Sequence, residues 1–90
     1  MDDCVFLRPS QPMYQDTSKE RLYAAAKTQM GANVKRLRKV HGLSQEELGL
    51  RIEADQAYIS RIESGHLNLT VESIAELAAA LETQISKLFE

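Results

Sequence analysis

Residues 44–65 read SQEELGLRIEADQAYISRIESG. Two amphipathic segments sit almost end to end within it. Ser44 and Glu47 make the pattern of a capping box, in which a hydroxyl accepts from the third amide and a carboxylate reaches back. The helix they start turns Leu48 and Ile52 to one side. Asp55 is the next N-cap, and its helix carries Ile59 and Ile62 inward. Gly65 is the natural stop. Two helices joined by so short a turn cannot lie antiparallel. They cross steeply, and the second presents its outer side to solvent. That side holds Gln56, Ala57, Tyr58, Ser60 and Arg61.

Helices extend the pattern in both directions. Ser18 is an N-cap, and Leu22, Ala26, Met30, Val34, Leu37 and His41 follow a spacing of three to four. A helix is therefore expected from about Ser18 to His41, with Gly31 as a weak point and Gly42 as its stop. Thr70 caps a fourth helix with Val71, Ile74, Leu77, Ala78 and Leu81 inward. Thr83 caps a short fifth with Ile85, Leu88 and Phe89. Pro9 and Pro12 make residues 1–17 irregular, and Cys4 to Leu7 has the makings of a short strand against a partner subunit. The expected fold is all-α, with five helices. Residues 1–29 form an N-terminal arm or helical extension, and residues 30–90 the compact unit.

The totals set bounds on function. Ninety residues at 43% hydrophobic make one small domain. Net charge is −2, but the charges are segregated. Residues 27–51 carry six Lys and Arg against two Glu, whereas residues 52–90 carry two against seven Asp and Glu. One basic face on an acidic chain points to a polyanionic partner, although Lys35 to Lys39 taken alone is a solvated helix face. Cys4 is the only cysteine, so no internal disulfide forms. The apolar run Val5 to Leu7 is too short for a secretory signal and nothing spans a membrane, so a cytoplasmic setting is expected. His41, His66 and Cys4 make no zinc set, and no metal or other cofactor is expected. No nucleophile framework or glycine-rich phosphate loop occurs. We expect no catalytic residue, no enzyme activity and no small-molecule ligand.

The outer face of the third helix suits base edges. Gln bonds adenine bidentately, Arg does the same to guanine, and Ala packs a thymine methyl. Gln45 opens the preceding helix, where a side chain and helix amides hold phosphate. With MGANVKRLRKVHGLSQEELG, DQAYISRIESG, LTVESIAELAAAL and ISKLF, residues 30–89 resemble the phage repressor/Cro-type, lambda-repressor-like helix-turn-helix proteins, the XRE family. The resemblance implies five helices, with the second and third as the helix-turn-helix, and double-stranded DNA as partner. It implies base contacts by Gln56, Ala57, Tyr58 and Arg61. It places Gln45 on a phosphate and lays the loop from Ser64 to Thr70, with Asn68, along the backbone. Lys35 and Ser60 join the expected phosphate contacts. Arg38 and Glu63 match a buried ion pair in several relatives.

Two residues depart from the family pattern. Glu53 stands where the turn usually has glycine, and Gly49 where the second helix usually has Ala. Tyr58 reads equally as a packing residue and as a base contact. One reading head covers too few base pairs for specificity, so a homodimer on a palindrome-like site is expected. Ile85, Leu88 and Phe89 are the first choice of interface, since so small a core cannot bury all three, and residues 1–29 the second. With nothing after residue 90 to carry a ligand domain, regulation through concentration and dimerisation is expected. That suits a phage or plasmid repressor or a restriction–modification controller. The alternatives are a DNA-binding antitoxin, with residues 1–29 holding the toxin, and a helical protein-interaction module.

Overall fold

The structure, a computed structural model, describes residues 18–90. The readings made for residues 1–17, including the short strand at Cys4 to Leu7, lie outside the described residues. The Ser18 hydroxyl accepts from the Arg21 amide at 3.3 Å. From there α1 runs over Lys19–Val40. It continues through Gly31 and across the 29/30 boundary without a break.

Three more α-helices follow, each opened by the cap its sequence offers. In α2 (Gln45–Arg51) the capping box is complete: the Glu47 amide donates to Ser44 Oγ at 2.9 Å, and the Ser44 amide to Glu47 Oε1 at 2.8 Å. Asp55 opens α3 (Gln56–Glu63) by accepting from the Tyr58 amide at 2.9 Å. Thr70 opens α4 (Val71–Ala80) by accepting from the Ser73 amide at 3.1 Å. The last element, Ile85–Phe89, is a 3-10 helix. Four α-helices and one 3-10 segment thus replace the five helices expected, and no strand occurs among the described residues.

Thr83 does not cap that last segment. Its amide instead closes α4 by donating to the Ala78 carbonyl at 2.9 Å. Gln84 takes the cap position without a side-chain bond. A five-residue stretch with no cap tightens into i→i+3 bonds such as Lys87 to Gln84.

All four α-helices end in the same way. The residue past each C-cap is left-handed: Gly42 (φ 69°), Glu53 (φ 59°), Gly65 (φ 78°) and Glu82 (φ 55°). The next amide then returns to a carbonyl of the last turn, as in Leu43 to Arg38 (3.0 Å) and Ala54 to Gly49 (2.8 Å). This Schellman closure satisfies orphan carbonyls and reverses the chain within two residues. Glu53, which stands where the family usually has glycine, thus takes a left-handed backbone. Glu82 is a second such residue, one that no sequence pattern singles out.

Met30, Val34, Leu48, Ile59, Ile62, Leu77, Ala78, Leu81 and Leu88 make the buried core. Gly31 lies where α1 crosses α3. A Cβ added there would clash with the Ile62 carbonyl oxygen and lie 2.9 Å from that of Glu63. The expected weak point is therefore a close-packing site. Two inward expectations fail: Leu22 is 55% exposed and Val71 75% exposed. Leu22 lies in the first turn of α1 and Val71 is the first residue of α4. Leu88 fails in the opposite sense. Expected at a dimer interface, it is 0% exposed. Asn33 Nδ2 donates to the Leu88 carbonyl at 2.9 Å and ties the 3-10 segment to α1.

Candidate nucleic-acid interface

Arg38 on α1 and Glu63 at the end of α3 form the base of the site. Arg38 Nε donates to Glu63 Oε2 at 2.6 Å and Nη2 to Oε1 at 3.1 Å. Their side chains are only 10% and 5% exposed. A third donor, Nη1, reaches the Leu43 carbonyl at 2.7 Å. The hydrogen bond with Glu63 raises the Arg38 pKa above its ordinary value, desolvation by burial opposes this, and Coulomb attraction to Glu63 adds to it. The buried guanidinium stays charged and ties α1, the α1–α2 turn and α3 together.

From that pair a polar relay runs outward. Gln45 Nε2 donates to Glu63 Oε1 at 3.0 Å. Gln45 Oε1 accepts from Gln56 Nε2 at 2.5 Å. One N–H of Gln56 is therefore committed, leaving its Oε1 and second N–H. An acceptor paired with a donor is the set that matches an adenine edge in the major groove. Gln45 is half-buried in this relay rather than standing clear of the surface.

The rest of the α3 face is mixed. Ala57 and Arg61 are exposed, and Arg61 has no side-chain partner among the described residues. Ser60 is half-buried. Tyr58 is half-buried and packs against the core. Lys35 is exposed on α1.

The loop after α3 offers less than its sequence suggests. Ser64 Oγ donates to the Arg61 carbonyl at 3.1 Å and lies 2.9 Å from His66 Nδ1. Thr70 Oγ1 donates to Ser73 Oγ at 3.1 Å while it caps α4. The two loop hydroxyls expected on phosphates are thus engaged within the protein. Asn68 is exposed, and its Oδ1 accepts from Lys27 Nζ at 3.3 Å.

Three links escaped the sequence. These are the Glu63–Gln45–Gln56 relay, the Lys27–Asn68 bond, and the closure of the α4 C-terminus by other elements. In the last, Arg51 donates to the Ala80 carbonyl at 3.0 Å, and His41 Nε2 bonds that of Leu81 at 2.8 Å. Each joins residues at least eleven apart, beyond the reach of helical spacing.

The family profile described as helix-turn-helix matches residues 34–88. This protein belongs to that helix-turn-helix family. The match covers α2, α3, α4 and the 3-10 segment up to Leu88, and leaves residues 19–33 of α1 outside. Among curated relatives, an uncharacterized HTH-type transcriptional regulator y4dJ of Sinorhizobium fredii is 46% identical over 52 residues, 58% of this chain and 68% of that protein. The control protein C.MunI of Mycoplasma sp is 36% identical over 64 residues, 70% of this chain and 86% of that protein. Among solved structures, the restriction–modification controller C.AhdI of Aeromonas hydrophila superposes with a TM-score of 0.68. It is 34% identical and covers 74% of this chain and 96% of its own. The controller C.Esp1396I, solved as a tetramer on its natural 35-base-pair operator, superposes with a TM-score of 0.61. It is 26% identical over 72% of this chain and 96% of its own. No helix among the described residues is long and apolar enough to cross a membrane.

Proposed function

We propose that this helix-turn-helix chain is a non-enzymatic, sequence-specific regulator that binds double-stranded DNA as a homodimer, in the manner of a restriction–modification controller. The observation that carries the reading is the outer face of α3. Gln56 is aligned by Gln45 and, through it, by the buried Arg38–Glu63 pair, with Ala57 and Arg61 beside it. A base-reading side chain held in advance spends little rotamer freedom on binding, and both Gln and Arg can read a base bidentately. The controllers C.MunI and C.AhdI, each more than 30% identical, support this class.

The two candidate interfaces meet on one surface. Tyr23, Ala26 and the stem of Lys27 on α1 line an apolar groove with Leu67, Leu69, Ile74 and Phe89. Ile85 and Phe89 remain exposed while Leu88 is buried in the core. The dimer face is read as Ile85 and Phe89 together with the start of α1, within the span assigned to residues 1–29.

Selection of bound duplexes from a random pool, followed by sequencing, tests the function. An inverted repeat should be enriched at moderate salt; a pool that stays random would overturn the reading. Gln56→Ala and Arg61→Ala should relax the preference at single positions. Lys35→Ala should weaken all duplexes alike and lower the salt slope by about 1.

A further inference from the structure

We infer that Lys27 is a further DNA-backbone contact, supplied by α1 from outside the family-matched residues to the loop between α3 and α4. The inference rests on the proposed DNA-binding role and extends its site. The loop, SGHLNLT over residues 64–70, contains no Lys or Arg, and Glu72 follows it. Its Ser64 and Thr70 hydroxyls are engaged within the protein. A loop laid along phosphates would thus offer them neutral donors and no fixed positive charge. Tertiary structure supplies one. Lys27 is half-buried, and its Nζ lies 3.3 Å from Asn68 Oδ1, across 41 positions of chain. The ammonium also sits 4.5 Å from the centre of the Tyr23 ring, one turn back on α1. A cation over an aromatic face is held by the ring quadrupole.

The loop cannot pull away from this helix freely. A Cβ added at Gly65 would lie 3.4 Å from Thr28 Cα and Oγ1, so α1 backs the loop at the residue next to Lys27. Asn68 accepts from Lys27 through Oδ1, which leaves both of its amide hydrogens for a phosphate oxygen. An ammonium has three donors and suits phosphate as a compact point charge. A phosphate held by the Asn68 amide would lie within a few ångströms of Nζ. That is well inside the screening length of ~10 Å at 0.1 M salt.

Lys27→Gln separates this role from a purely structural tie. Glutamine can still donate to Asn68 but carries no charge. Affinity for the selected duplex, measured by fluorescence anisotropy over a range of salt, is the readout. The expected result is a log–log salt slope reduced by about 0.9, an equal loss on random duplex and an unchanged base preference. Lys27→Arg should restore the slope. A wild-type slope in Lys27→Gln, with specific binding intact, would overturn the Lys27 contact alone. Failure of the wild-type chain to bind any duplex would overturn the proposed function together with it.

Discussion

At the scale of single residues, Arg38 carries the heaviest consequence. It holds Glu63, and Glu63 holds the Gln45 that aligns Gln56. Removing one partner of a buried pair leaves the other charge uncompensated, at a cost of ~3–5 kcal/mol. Arg38→Met should therefore lower the urea unfolding free energy by about that much. Because the folded-state pKa of Arg38 is raised, its contribution is fully present below the ordinary arginine range. It fades only as pH climbs past that range. The loss measured at pH 7 should equal the loss at pH 9; a smaller loss at pH 9 would mean Arg38 gives up its proton early. The resemblance to phage repressors had already implied the pair. Its extension to Gln45 and Gln56 was not visible in the residues themselves, since two glutamines eleven positions apart show no periodic relation.

At the scale of elements, the helix ends govern behaviour. Glu53 and Glu82 hold φ of 59° and 55° at closures where Gly42 and Gly65 serve elsewhere. A side chain in that region costs roughly 1–2 kcal/mol, while glycine adds ~0.4–1 kcal/mol of freedom to the unfolded chain. Glu53→Gly and Glu82→Gly should each stabilise by about 0.5–1 kcal/mol net. Calorimetry should show the melting temperature rise by a few degrees for each. No rise at Glu53 would mean that the turn is not strained there. Gly31→Ala should run the opposite way. Alanine favours a helix by ~1 kcal/mol, yet its methyl would meet the Ile62 and Glu63 carbonyl oxygens. Overpacking of that kind costs ~1–3 kcal/mol, so a lowered melting temperature is expected. Starts and stops were readable because caps act within three or four residues of chain. The final 3-10 segment was not, because its N-cap position falls on Gln84, which makes no side-chain cap bond, and not on Thr83.

At the scale of the whole molecule, the apolar groove is the proposed dimer face. Tyr23 and Phe89 come from the two ends of the described chain and line one surface. Phe89→Glu places a charge there without touching the buried Leu88. Sedimentation equilibrium should then report a monomer whose melting temperature stays close to that of the parent. A persistent dimer would move the interface elsewhere. Truncation before Thr83 is a poorer test, because it would also remove a core residue.

Local chemistry in the sequence was enough to determine the helices. Ser18, Ser44, Asp55 and Thr70 start them, Gly42 and Gly65 end two of them, and apolar spacing chose their inner faces. It also separated the basic residues from the acidic ones and marked the outer side of α3. Periodicity states which way a side chain points but not whether anything stands there to meet it. The packed structure alone settled that Leu22 and Val71 lie exposed and Leu88 lies buried. It alone set Gln45 between Glu63 and Gln56, and Lys27 beside Asn68. Those contacts join distant parts of the chain, and they exist only once the helices have crossed.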